Sequence, residues 1–313
     1  MAKYRSSLPQ LSGAPFLTDG GIETNLLFNE KLDLPYFAAF HLLNDPKAQQ
    51  ALQRWFHTHC LIASTYKVGF ILETLTWRAS PDWTKKLGYS ENELIEVLQK
   101  SVEMFSTYRD EYENKDTKIV ISGCVGPRGD GYIPGNKMSE TEAEDYHSLQ
   151  IETLSKTDAD MISALTLNYT EEAIGIARAA KTFDIPAVIS FTLETDGRLP
   201  SGLTLKEAID QVENKTDQFP VYYMINCAHP THFDKTVSTG ETWLEKIHSL
   251  RANASMCSHA ELDEAEELDA GNPTELGTQY KDLLKKLPNL NVLGGCCGTD
   301  HRHIEQIAKA CYS

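Results

Sequence analysis

The fold this sequence predicts is a closed (β/α)8 barrel of the TIM type, one α/β domain over residues 1–313, and three observations lead to it. About eight apolar strand segments alternate with about eight segments of helical spacing, and strands joined through crossover helices imply a parallel sheet. The first strand-to-helix turn carries Gly20-Gly21 but no GxGxxG pattern, which disfavours the alternative, an open doubly wound sheet. Polar and sulfur-bearing residues follow strands one, two, six and eight. A barrel gathers those ends on one face, whereas an open sheet spreads them.

In chain order, Phe16-Leu17-Thr18 is a short strand entering Asp19-Gly20-Gly21, where paired glycines permit positive φ and close approach of a ligand. Asn44-Asp45-Pro46 starts a helix through Leu52, Trp55, Phe56, His59 and Ile62. Val68 to Thr76 is a buried-type strand ending in polar groups, Ser90 to Tyr112 a helix, and Lys118 to Gly123 the third strand. Ser139 to Thr157 is a helix with Glu140 and Glu142 in its first turn, favourable to the helix dipole. Asp160 to Leu165 and Ile185 to Thr192 are strands on either side of a helix over Thr170 to Thr182. Thr204 and Glu207 form a capping box, and their helix leads to the strand Val221 to Asn226. Thr242 to Ser249 reads as a short helix and Ala252 to Cys257 as strand seven. Asn272-Pro273 opens a helix to Leu287, Asn291 to Cys297 is strand eight, and Asp300 to Cys311 is the last helix.

The formal charge of −16, from 29 basic and 45 acidic residues, disfavours nucleic acid or an anionic membrane as partner. No apolar run has the length of a membrane span. Seven cysteines, an odd number in a chain without a secretory leader pattern, point to a reducing, cytoplasmic setting, where clustered cysteines bind metal or do chemistry. The acidic segment Glu261 to Asp269 reads as a solvated loop or lid, with hard-cation binding as the other reading.

Cys296-Cys297 lie between glycines at the end of strand eight, and Cys227 ends strand six. Three thiolates at converging strand ends are soft ligands for zinc, with a fourth position open. Buried filler cysteines are the other reading of the same spacing. Cys60 and Cys311 read as packing residues, while Cys124 and Cys257 lie at strand ends. His229, His232, His301 and His303 flank the cysteine turns as exposed residues or accessory ligands.

These pieces resemble the homocysteine S-methyltransferase family. The resemblance rests on TDGG (Thr18 to Gly21), ETLTWRAS (Glu73 to Ser80), GCVGPRGDGY (Gly123 to Tyr132), SFTLETDGRLPSG (Ser190 to Gly202), INC (Ile225 to Cys227) and GGCCGT (Gly294 to Thr299). It implies Zn2+ on Cys227, Cys296 and Cys297, a thiol substrate, homocysteine, as partner, and a methyl donor that yields methionine. It implies substrate contacts at Asp19, Gly20, Gly21, Glu73, Thr74 and Asn226. One departure stands out: Leu165 occupies the place where family members carry a glutamate that grips the homocysteine amine. Arg78 replaces a glutamine or an aromatic. Among donors, a sulfonium is expected, either S-methylmethionine or S-adenosylmethionine; betaine would need an aromatic cage, for which Trp77, Trp83 and Tyr89 are candidates. Methylation of a different thiol, or a non-catalytic zinc-binding role, are the alternatives.

Overall fold

The computed structural model describes residues 2–313. Eight parallel strands close in sequence order: β1 Phe16–Leu17, β2 Gly69–Glu73, β3 Ile119–Val125, β4 Met161–Leu167, β5 Ala187–Phe191, β6 Tyr222–Asn226, β7 Ile247–Ala252 and β8 Val292–Gly295. β8 returns to β1 with Phe16 opposite Val292, so no edge is left open. The long helices around it are α1 Pro46–Tyr66, α2 Glu91–Tyr112, α3 Glu140–Ser155, α4 Thr170–Thr182, α5 Leu205–Thr216, α6 Pro273–Leu283 and α7 His301–Tyr312. The expected (β/α)8 barrel is the observed fold.

The strands read as continuous apolar runs because both faces are covered. Outward residues such as Phe70, Ile121, Ile162, Ile189 and Leu293 join the large core shared with the helices. Inward residues, among them Phe16, Ile71, Val120, Met161, Val188, Tyr222, Met224 and Val292, fill the lower barrel. A 3-10 turn, Pro9–Ser12, lies at that lower end. Its Gln10 is fully buried, with Nε2 donating to Met161 Sδ at 3.3 Å. Above this packed layer the inward positions turn polar, and the functional end begins there.

Helix starts follow the sequence closely. The side chains of Asp45, Ser90, Ser139 and Thr204 accept from backbone N–H groups of their helices' first turns, the last three in reciprocal capping boxes.

Two expectations are corrected. The helix expected over Thr242 to Ser249 is one 3-10 turn, Thr242–Lys246, and strand seven runs from Ile247 to Ala252 rather than from Ala252 to Cys257. A bulge hides this strand: Tyr223 faces Ile247, yet Met224 faces Ser249, so His248 is an extra residue and the period-two pattern is broken. Among the described residues the outer ring also has seven long helices, not about eight, because one-turn pieces, Pro230–Phe233 and Thr236–Ser238, stand between β6 and β7.

Candidate active site

The C-terminal ends of the strands surround a cavity of about 430 Å³, within the range of small-molecule sites. Asp19, Gly20, Gly21, Glu73, Thr74, Asn226, Cys227, Cys296 and Cys297 all line it, so the sequence-derived residues share one chamber. The Sγ atoms of Cys227, Cys296 and Cys297 lie within 4.8 Å of one another, the one such convergence of potential metal ligands among the described residues. Cys227 and Cys296 are joined as a disulfide, so the expectation of three free thiols is not met in this form. Sulfurs close enough to share a metal are close enough to bond when oxidised. Reduced, the three form a soft donor set that fits a thiophilic metal. Burial pushes the Cys297 thiol up to about 11; a thiolate there needs a cation beside it.

Gly20 and Gly21 line the cavity, where a ligand can approach them, but the expected positive φ is not met. A Cβ at Gly20 would come within 2.6 Å of the Thr299 carbonyl oxygen, and one at Gly21 would run into the Cys296 carbonyl. The two glycines let the β1 turn press against the dicysteine turn. Gly21 N–H donates to the Thr299 carbonyl at 3.0 Å, which fixes that contact. Gly298 follows the cysteines with φ +79° and lets the chain leave beneath the segment that ends at Asp269.

Asp19 is already engaged. Its Oδ2 accepts from Trp55 Nε1 on α1 at 2.8 Å, and its Oδ1 accepts from Arg251 Nη2 at 2.7 Å. Arg251 on β7 is the functional-end residue that sequence reasoning missed, because the strand was placed downstream of it. It is 6% exposed and also donates to the carbonyls of Gly20 and Gly295.

Asn226 works between strands. Its Oδ1 accepts from Thr166 N–H at 2.8 Å and from the Ser190 hydroxyl, while its Nδ2 donates to Thr166 Oγ1 at 2.8 Å. Thr166 has φ +64° at the bulge that ends β4, and the neighbouring Cys227 has φ +53°. The amide thus holds two strained backbones in register and points Nδ2 toward Cys296 Sγ, 3.9 Å away. Thr74 is used similarly: its hydroxyl accepts from Cys124 N–H at 2.9 Å and meets Thr76 Oγ1 at 2.6 Å. Glu73, at the end of β2, is buried; desolvation pushes its carboxyl up to about 7, opposed by the Arg251 charge and the Ser122 and Ser163 hydroxyls.

The acidic segment lies at the cavity. Ser258 caps a short helix, His259–Asp263, in a capping box with Glu261, and the chain then carries Asp263, Glu267 and Asp269 along the cavity rim. This placement at the cavity fits the expected loop or lid, and the segment's acids lie exposed. His259 donates through Nε2 to the Cys227 carbonyl at 2.6 Å and packs at a tilt against Tyr132, ring centroids 4.1 Å apart. The Tyr132 hydroxyl lies 3.9 Å from Cys297 Sγ.

The aromatic-cage candidates are occupied from within. The Arg78 guanidinium lies 4.0 Å from the Trp77 ring centroid and 4.1 Å from that of Trp83, and Lys86 Nζ lies 3.9 Å from the latter. Tyr89 packs edge-on against Phe40. Arg78 is held there by donation to the Gly129 carbonyl at 2.7 Å. Of the other cysteines, Cys124 lines the cavity, Cys60 is core, and Cys257 and Cys311 lie outside it. His229 caps the Pro230–Phe233 turn, His232 bonds the Met256 carbonyl, His303 bonds Asp300, and His301 is exposed. None of the four lines the cavity.

The sequence model described as homocysteine S-methyltransferase matches residues 16–311. Homocysteine S-methyltransferase 1 of Arabidopsis thaliana is 24% identical, with 95% of this chain and 93% of that protein aligned. The oxidised form of the Escherichia coli homocysteine methyltransferase MmuM superposes with a TM-score of 0.77 at 18% identity, over 98% of this chain and 99% of that one. Its metallated form gives 0.70 at 20% identity, over 95% and 96%.

Proposed function

Since the chain belongs to the homocysteine S-methyltransferase family and is a methyltransferase, we propose that it moves a methyl group from a sulfonium donor to the thiol of homocysteine, giving methionine. The observation that carries this reading is the meeting of Cys227, Cys296 and Cys297 in one cavity at the C-terminal end of the barrel. In the balanced reaction the thiol loses its proton, its sulfur takes the methyl carbon, and the donor leaves as a neutral thioether. Zinc on the reduced cysteines would supply a Lewis acid that keeps the incoming thiol ionised at neutral pH.

The chain's own residues do the rest. Arg251 ties the β1 turn to β8 through Asp19, Gly20 and Gly295, so the backbone under Cys296 is rigid. Asn226 fixes the ends of β4 and β6 on either side of Cys227. His259 holds the lid to the Cys227 carbonyl and keeps Tyr132 beside Cys297. Exclusion of water by the lid favours attack of a thiolate on carbon.

A cationic donor suits the rim. Asp263, Glu267 and Asp269 present negative charge at the entrance, which attracts a sulfonium and offers nothing to an anion. Betaine is disfavoured, because Arg78 already fills the Trp77 and Trp83 faces that a quaternary ammonium would need. The test gives reduced, zinc-loaded protein homocysteine with S-methylmethionine, S-adenosylmethionine or betaine in turn. Methionine is expected with a sulfonium and not with betaine. Methionine from betaine alone would overturn the donor assignment, and methionine from none of the three would overturn the reaction.

A further inference from the structure

Leu165 leaves an open question about how an α-amino acid is held. Its side chain lies on the cavity wall, 8% exposed, where an ammonium would find no partner, and an unpaired buried charge is strongly unfavourable. Asp19, the acid that the family resemblance assigns to the substrate, has each oxygen already in a hydrogen bond within the protein. Glu23 is half-buried and turns back on its own backbone amide.

Of the residues lining this cavity, Glu73, Arg78, Arg251 and Asn253 each have a buried side-chain polar atom without a partner, and the two at the strand ends of β2 and β7 carry opposite charge. One is Arg251 Nη1: Nε and Nη2 of the same guanidinium are fully used, and Nη1 is buried with nothing to donate to. The other is Glu73 Oε2, also buried and without a donor. Both side chains are more than nine-tenths buried, at 6% and 7% exposed. Both line the chamber that holds the three cysteines. Arg251 spends its ion pair on Asp19 rather than Glu73. Buried polar groups are nearly always paired, so one unpaired cation donor and one unpaired anion acceptor in one chamber describe a missing ligand that carries both charges.

We propose that Arg251 and Glu73 together bind the zwitterionic head of an α-amino-acid thiol, Arg251 Nη1 taking the carboxylate and Glu73 Oε2 the ammonium. The proposal rests on the thiol-methylation reading and adds to it the residues that choose the thiol. Leu165 then marks a relocation of the amine site from β4 to β2, and Arg251 supplies a guanidinium suited to a carboxylate. Burial raises the Glu73 carboxyl, and an ammonium beside it would restore the ionised form. Both residues stand at strand ends, where the barrel backbone fixes them.

The experiment compares three thiols with reduced, zinc-loaded protein and S-methylmethionine: homocysteine, 4-mercaptobutyrate, which lacks the ammonium, and 3-mercaptopropylamine, which lacks the carboxylate. The wild-type protein is expected to favour homocysteine over each truncated thiol by roughly 10- to 100-fold in kcat/KM, the size of one lost charge-assisted hydrogen bond. Glu73→Gln is expected to lower kcat/KM for homocysteine while leaving 4-mercaptobutyrate unchanged. Arg251→Gln is expected to lower it more for homocysteine and 4-mercaptobutyrate, which carry the carboxylate, than for 3-mercaptopropylamine. A loss of packing would lower all three thiols alike, and that outcome overturns the proposal. If Arg251→Gln does not fold, because Asp19 is left unpaired, Glu73→Gln and the wild-type thiol ratios decide the matter. Equal use of 4-mercaptobutyrate and homocysteine by the wild-type protein also overturns it, with the methylation reading intact. Failure to methylate any thiol overturns both.

Discussion

Single residues at the barrel mouth hold conformations and charges that the surrounding chain must sustain. Asn226 is the clearest case, because its amide satisfies Thr166 N–H and Oγ1 at a backbone with φ +64°. Asn226→Ala is expected to destabilise the protein by about 2–4 kcal/mol, from an orphaned buried N–H and unsupported strain, read by urea unfolding of the reduced, metal-free protein. Glu73 gives a pH signature. Its carboxyl titrates near 7 in the fold against an ordinary 4.5, so the folded state keeps a proton that the unfolded state gives up. The stability this provides is present below about pH 4.5 and is lost as pH rises to about 7. Metal-free protein should therefore lose stability across that window, and Glu73→Gln should flatten the loss; an unchanged slope would count against a buried, uncompensated carboxyl. The cysteines were legible in the sequence because thiols bracketed by glycine at strand ends carry their chemistry in their residue type. Arg251 was not, because an arginine in an unassigned stretch looks like any surface cation until the strand that aims it inward is located.

At the level of elements, helix starts were readable because capping is local: Asp45, Ser90, Ser139 and Thr204 bond within three residues of themselves. β7 was not readable, because the bulge at His248 depends on its pairing with β6, a contact the sequence does not display. The packing role of the glycine pair after β1 was hidden for the same reason, since its close neighbour, the β8 turn, lies some 280 residues away. The lid segment was recognisable by composition, but only the fold aims Asp263 and Glu267 at the mouth. Their double replacement, Asp263→Asn with Glu267→Gln, is expected to raise KM for a sulfonium donor several-fold at low salt while leaving the zinc content unchanged. The salt dependence of KM should shrink in parallel. A KM that ignores both the replacement and the salt would show that the lid's charge plays no part in donor capture.

For the molecule as a whole, barrel closure does the assembling. Cys227 and Cys296 are 69 residues apart in sequence, yet their Cα atoms lie 5.4 Å apart, because β6 and β8 flank β7 in one sheet. A metal that ties those strands binds the folded state alone, so loading the reduced protein with zinc should raise its unfolding temperature, and a chelator should reverse the shift. The eight-strand order was legible from the alternation of apolar runs and helical segments, and so was the face on which the chemistry gathers. What the alternation could not carry was the interior arrangement of charges, Asp19 paired with Arg251 and Glu73 with one oxygen free, because those groups come from β1, β2 and β7 across the barrel. The most direct test of the central claim measures zinc per chain and methionine formation from homocysteine and S-methylmethionine on the same reduced preparations of the wild-type protein and Cys297→Ser. The account expects one zinc per chain with turnover in the wild type, and loss of both in the variant; full turnover by the variant, or by wild-type protein stripped of metal, would contradict it.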